Sequence, residues 1–168
     1  MAGLKDFDLD ELDDEQIANL LENYRKAGKT EEPKYTEILA EHARRQGKGL
    51  SFEKSLAAIR DAASRGQFLS YKQLAEASGL KWSFAVRHAM PSHLWNLLEY
   101  SYRNGLPLLS AIVVNQKNVG TGDMEPETLR GFIAGARDLG IAVTDERQFL
   151  KEQQEEVFRR AKEGTLNV

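Results

Sequence analysis

The fold is decided by residues 66–91, which read GQFLSYKQLAEASGLKWSFAVRHAMP. Ser70 precedes an apolar-periodic run and Gly79 follows it, so these two residues predict the N-cap and the C-terminal cap of a short helix. A second helix is predicted from Trp82 to Met90, and it ends at Pro91 because the residue before a proline avoids the α region. Two short helices joined by a glycine-containing turn are typical of a helix-turn-helix.

Short strands are predicted on both sides of this pair of helices. The β-branched residues from Ser110 to Asn115 predict a strand, and Phe68-Leu69 predicts a very short one. The expected fold is therefore α+β and mainly helical, with a winged helix-turn-helix-like core, a small β element and extra N- and C-terminal helices. Residues 1–50 are predicted to form an acidic N-terminal arm with one or two helices, and residues 51–168 a winged-helix-like domain with C-terminal helices.

The other helices are predicted from apolar residues that recur at three- and four-residue spacing. Residues 1–12 are acidic and poor in large apolar residues, which favours a disordered or loosely docked start. The predicted helices are one from Asp13 or Asp14 to about Lys26, one over 33–46, one over 52–64 capped by Ser51, one over 92–104 capped by Ser92, one around 129–139 and one over 149–161.

The bulk composition is that of a globular protein. The chain has 168 residues, of which 41% are hydrophobic and 29% are charged, enough for one domain with a core. The N-terminus lacks the apolar core of a signal peptide, and no apolar run approaches the roughly 18 residues of a membrane span, so a cytoplasmic protein without membrane contact is predicted. The absence of cysteine excludes disulfides, thiolate nucleophiles and sulfur-ligated zinc.

Charge is unevenly distributed along the chain, although the formal net charge is only −3. Residues 1–34 contain five lysine or arginine residues and ten acidic ones, whereas residues 51–118 contain eight basic and four acidic residues. Residues 119–168 are acidic again. A basic centre is compatible with nucleic-acid binding, because Lys and Arg supply phosphate contacts.

The central stretch resembles the DNA-binding half of the alkylguanine-DNA alkyltransferases and their alkyltransferase-like relatives. The resemblance lies in the run RGQFLSYKQLA at 65–75, the helix-ending Gly79, the pair Ala89-Met90 and the hydrophobic segment Leu106 to Val114. In that family the helix-turn-helix enters the minor groove and a base is flipped out with help from an aromatic and an arginine. The resemblance therefore implies a DNA-binding winged helix in which Tyr71, the motif tyrosine, lies near a rotated phosphate.

The departures from the family pattern concern its active site, its intercalating arginine and a helix-length insertion from Pro91 to Gly105. Counted back from Val113-Val114, the family's Pro-Cys-His-Arg run corresponds to residues 109–112, where neither cysteine nor histidine occurs. Ser110 has no general base beside it in sequence, and a lone serine is a poor nucleophile. The family's intercalating arginine falls on Phe84, with Arg87 one turn later. Alkyl transfer is excluded, but DNA binding is retained.

The leading hypothesis is thus a non-enzymatic protein that binds duplex DNA and has no catalytic residue, cofactor or metal. The three histidines lack metal-ligand spacing. An apolar wedge such as Phe84 can unstack base steps, but burial tendencies alone favour the interpretation of Phe84 and Trp82 as core residues. The predicted DNA contacts are Tyr71, Lys72, Lys81, Trp82, Ser83, Phe84, Arg87, His88 and Lys117.

The alternative hypothesis is a protein–protein interaction module, such as an adaptor, an immunity factor or an accessory factor of a mobile element. This module would keep the winged-helix scaffold and bind its partner through the acidic N-terminal arm or the 92–104 helix. The surface separates the two hypotheses, since exposed basic residues near 82–88 favour nucleic acid and an exposed apolar patch flanked by acids favours a protein.

Overall fold

The computed structural model describes residues 8–46 and 49–166, which form a mainly helical α+β fold. Both the helical content and the small β element predicted from the sequence are confirmed. The helices of the described residues are α1 (Asp14–Lys26), α2 (Pro33–Gln46), α3 (Phe52–Ser64), α4 (Tyr71–Ala77), α5 (Phe84–Arg103), α6 (Pro126–Asp138) and α7 (Glu146–Lys162). Short 3-10 turns span Leu9–Glu11, Leu109–Ile112 and Gln116–Asn118.

The β element is a pair of two-residue parallel strands, β1 (Leu69–Ser70) and β2 (Val113–Val114). Leu69 is opposite Val113, and Ser70 is opposite Val114. The strand predicted from Ser110 to Asn115 is therefore mostly wrong, because its first residues form the 3-10 turn Leu109–Ile112. The strands are parallel, and the described residues contain no β-hairpin, so the winged-helix description stays a prediction.

The helix starts follow the local capping signals. Ser70 and Gln73 form a capping box, in which the amide of Gln73 donates to Ser70 Oγ at 3.1 Å and the amide of Ser70 donates to Gln73 Oε1 at 2.8 Å. Asp13 caps α1 in the same way, and Ser51 caps α3. Gly79 has φ of 76°, a left-handed conformation that glycine adopts at little cost, and α4 ends just before it.

Helix α5 continues through Pro91, so the predicted break at this residue is wrong. The helix begins after Ser83, whose Oγ accepts from the amide of Val86 at 3.3 Å; Ser92 lies inside the helix and is not a cap. Proline removes one helical hydrogen bond and crowds the carbonyl four residues earlier. Here Pro91 is exposed, while the turns before and after it bury Met90 and Leu97, and this shared burial outweighs the local cost.

The N-terminal helices belong to the same hydrophobic core as the rest of the chain. Ile17 of α1, Ile38 of α2, Leu97 of α5 and Val157 of α7 are all fully buried in one cluster. Residues 8–12, predicted to be disordered or loosely docked, are held by Arg45, which donates to the backbone carbonyls of Leu9 and Leu12. The remainder of that predicted segment, residues 1–7, lies outside the described residues.

A buried charged cluster joins α1, α2 and α5. Glu99 of α5 is 2% exposed, and its Oε1 accepts a hydrogen bond from Nη2 of Arg25 at 2.7 Å. The hydroxyl of Tyr35 donates a short hydrogen bond to the same oxygen. Burial, together with the neighbouring Glu99 carboxylate, raises the pKa of Tyr35 to about 12, so its hydroxyl remains a donor at neutral pH. The cluster fixes the C-terminal half of α5 against the two N-terminal helices.

Candidate nucleic-acid interface and adjoining cleft

The first two turns of α5 present an exposed face that combines an aromatic ring with basic side chains. Phe84, Arg87 and His88 are three and four residues apart, and all three are exposed. Phe84 is 85% exposed, and its ring stacks on that of His88 with centroids 6.2 Å apart. The interpretation of Phe84 as a core residue is therefore wrong. Trp82, in the turn before α5, is 38% exposed.

Three of the four basic residues predicted to contact DNA lack an acidic partner among the described residues. Lys72, Lys81 and Arg87 are exposed, and none of them forms an ion pair within residues 8–46 and 49–166. Lys117 differs, because its Nζ lies 3.1 Å from a carboxylate oxygen of Glu125. Unpaired cations need not break an existing contact before they meet a phosphate, so the first three are the better candidates for phosphate contacts.

A cleft of about 580 Å³ opens beside this face, between α4, α5 and α6. Tyr71, Lys72, Trp82 and Arg87 line it, which brings together four of the residues predicted from the sequence. Residues of α6 and Ser110, from the 3-10 turn before β2, also line it. Its wall further includes the side chains of Met90, Leu94, Trp95, Leu98, Gln116, Met124, Glu127 and Phe132.

Tyr71 lines the cleft together with Thr128 of α6. Its side chain is half-buried. Burial raises the pKa of Tyr71 to about 12, although the neighbouring Thr128 side chain opposes the shift, so the phenol stays neutral at physiological pH. The Tyr71 hydroxyl is therefore available as a neutral hydrogen-bond donor on the α4 side of the cleft.

Ser110 occupies the position that corresponds to the cysteine of the resembled family. It is 6% exposed and lines the cleft. No histidine is among the cleft-lining residues in the part of the chain that the structure describes. A serine hydroxyl needs an adjacent base to become a nucleophile. What the lining offers is a set of apolar surfaces, hydroxyls and cations that suits binding.

A buried serine–histidine pair exists elsewhere in the molecule. Ser55 Oγ lies 2.7 Å from Nε2 of His93, and both residues are fully buried. No substrate has access to a pair at zero exposure. It holds α3 to α5 and is part of the core.

Sequence reasoning missed the α6 side of the cleft. Gly131 and Gly135 lie four residues apart on α6 and line the cleft. A Cβ on Gly135 would meet Leu98 Cδ2 at 2.7 Å, so this glycine permits close packing of α6 on α5, whereas a Cβ on Gly131 would meet no atom within 4 Å. A glycine inside a helical pattern can indicate close packing, and this signal was present in the sequence at Gly135.

Most of the 92–104 segment, the predicted protein-binding helix, is buried. Asn96, Leu97, Leu98 and Glu99 are covered by neighbouring elements, and Tyr102 is the large hydrophobic residue of the segment that is exposed, at 40%. The exposed apolar patch that the alternative hypothesis requires is therefore not present on this segment. A protein partner for the N-terminal arm stays a prediction.

Comparison of the chain with protein-family models, curated proteins and solved structures finds no match. The resemblance to the alkyltransferases thus rests on the sequence motif alone. No helix within residues 8–46 and 49–166 is both long and apolar enough to span a membrane.

Proposed function

We propose that this chain is a non-enzymatic, cytoplasmic DNA-binding protein that contacts duplex DNA through α4, the turn at 78–83 and the first turns of α5. In this proposal α4 and α5 act as the helix-turn-helix of a winged-helix-like core. The observation that carries the proposal is the exposure of Phe84 at 85% beside exposed basic side chains. An exposed aromatic ring beside cations suits a nucleic acid, because bases stack on the ring while the cations contact phosphates.

The electrostatics support a polyanionic partner. Lys72 lies on α4, Lys81 in the turn at 78–83 and Arg87 on α5. None of the three has an acidic partner among the described residues. Each cation that neutralises a phosphate releases condensed counterions, which makes binding weaken as salt rises. The excess of basic over acidic residues in 51–118 also favours an anionic partner.

Phe84 is the proposed wedge. Architectural proteins insert apolar side chains between base steps of the minor groove and thereby unstack them. Phe84 is placed for such insertion because it is the first residue of α5 and its ring projects into solvent. Arg87 and His88, one turn later, then face the backbone next to the unstacked step.

Fluorescence anisotropy with a labelled duplex tests the proposal. The double variant Lys81→Ala, Arg87→Ala is expected to bind at least tenfold more weakly at about 50 mM salt and to show a salt slope smaller by about 2, since about one unit is lost per phosphate contact. The matched control is Arg147→Ala, Lys151→Ala, which removes the same charge from exposed positions of α7. Equal weakening by both variants would mean that net charge, and not this surface, governs binding.

Phe84→Ala tests the wedge separately from the charges. Stacking on a base is worth about 1–3 kcal/mol, so affinity is expected to fall about tenfold with no change in salt slope. Phe84→Trp keeps a stacking ring and is expected to bind close to the wild-type level. The proposal is wrong if wild-type protein does not bind duplex at about 50 mM salt, where phosphate contacts are strongest.

A further inference from the structure

We propose that the cleft between α4, α5 and α6 is a binding site for a small aromatic molecule that bears an anionic group. This site goes beyond the proposed DNA contact, because much of its wall comes from α6 and from Trp95, which lie outside α4, the turn at 78–83 and the first turns of α5. The cleft volume of about 580 Å³ lies within the range of roughly 300–1,000 Å³ that is usual for small-molecule sites.

The aromatic part of the ligand is inferred from the cleft walls. Trp82, Trp95 and Phe132 line the cleft, together with the flexible side chains of Met90 and Met124. Tryptophan and phenylalanine rings stack on planar rings, and methionine sulfur makes favourable contacts with aromatic edges. Such a wall favours a planar ring over an aliphatic group of equal size.

The anionic group is inferred from the charges at the cleft. Lys72 and Arg87 both line it, and neither has a carboxylate partner in the part of the chain that the structure describes. The acidic residue of the lining is Glu127, on α6, so two cations are opposed by one carboxylate. An anion seated on the α4–α5 side supplies the missing counter-charge and forms charge-assisted hydrogen bonds.

The α6 wall of the cleft leaves room for the ring at Gly131. No atom lies within 4 Å of the place that a Cβ would take there, which means that this part of α6 borders open space. A larger side chain at 131 would therefore enter the cleft without displacing protein atoms. Gly131→Leu also replaces a glycine inside a helix, which favours folding.

Isothermal titration calorimetry with three probes tests the ligand class. 2-Naphthoate has the ring and the charge, 2-naphthalenemethanol has the ring alone, and cyclohexanecarboxylate has the charge alone. 2-Naphthoate is expected to bind at least tenfold more tightly than either of the others. Lys72→Ala, Arg87→Ala is expected to weaken 2-naphthoate about tenfold and to leave 2-naphthalenemethanol unchanged. Equal affinity for all three probes, or no binding of 2-naphthoate, overturns the proposal.

The place of binding is tested with the two tryptophans of the chain, both of which line the cleft. Binding of 2-naphthoate is expected to shift both indole N–H signals in a proton–nitrogen correlation spectrum. Gly131→Leu is expected to abolish the binding, whereas Ala134→Leu, at an exposed position of α6 outside the cleft, leaves it intact. Unaltered binding by Gly131→Leu would place the ligand elsewhere and refute the site. The test contains no nucleic acid, so its outcome is independent of DNA binding.

Discussion

Acidification is expected to destabilise the protein through His93. This side chain is 0% exposed, its Nε2 lies 2.7 Å from Ser55 Oγ, and its Nδ1 has no hydrogen-bond partner among the described residues. Burial lowers the pKa of His93 from 6.5 to about 4, and no charged neighbour contributes to the shift. The native state therefore holds a neutral imidazole at a pH where the unfolded chain already takes up a proton.

The sign and size of the effect follow from this difference. Between the two pKa values the unfolded state binds more protons than the native state. The contribution of His93 to stability is therefore fully present well above pH 6.5 and is lost as pH falls towards 4. The difference between the unfolded and native pKa values corresponds to about 3 kcal/mol in the free energy of unfolding, of which about 2 kcal/mol is lost by pH 5.

Urea denaturation followed by circular dichroism at about pH 7.5 and pH 5 measures this loss. The comparison is with His93→Gln, whose amide can still form a hydrogen bond with Ser55 but cannot take up a proton. Carboxylates titrate in both proteins and cancel in the difference. Wild type is expected to lose about 2 kcal/mol more than the variant over this interval. An equal loss in the two proteins would refute the argument that burial keeps His93 neutral.

Two further predictions concern stability and use the same measurement. Gly122→Ala is expected to lower the free energy of unfolding by about 3 kcal/mol, because Gly122 has φ of +81° and its Cβ would lie 2.3 Å from the ring of Phe68. Arg25→Met is expected to lower the free energy of unfolding by about 2 kcal/mol, since it leaves Glu99 buried without its cation. The loss is smaller than for a fully buried pair because the Arg25 side chain is 33% exposed.

Matched controls exist for both. Gly120→Ala adds the same methyl group two residues away, where no atom lies within 4 Å, and is expected to change stability by less than about 0.5 kcal/mol. Lys26→Met removes the neighbouring cation of α1. The ion pair that Lys26 forms with Glu22 is exposed, with a distance of 3.8 Å, so this variant is expected to lower the free energy of unfolding by no more than about 0.5 kcal/mol. Similar effects in a variant and its control would contradict the corresponding structural reason.

The sequence by itself determined the features that depend on neighbours along the chain. Asp13, Ser51 and Ser70 are the helix caps that the pattern predicts, because the side-chain oxygen and the amide that it accepts from are only three residues apart. The amphipathic spacing of the helices likewise located α1, α2, α3, α6 and α7 to within a few residues. Of the candidate site, the sequence predicted the basic residues near the turn and Tyr71 as contacts, because they belong to one continuous stretch, but the exposure of Phe84 came only from the structure.

Only the tertiary structure decided the features that depend on distant residues. Helix α5 passes through Pro91 because both of its halves are buried against other helices, an energy that no local rule contains. The pairing of Leu69 with Val113 and the burial of Glu99 against Arg25 each join residues more than forty positions apart. The cleft exists for the same reason, since its walls come from α4, α5, α6 and the segments around both strands, which approach one another only when the common core forms.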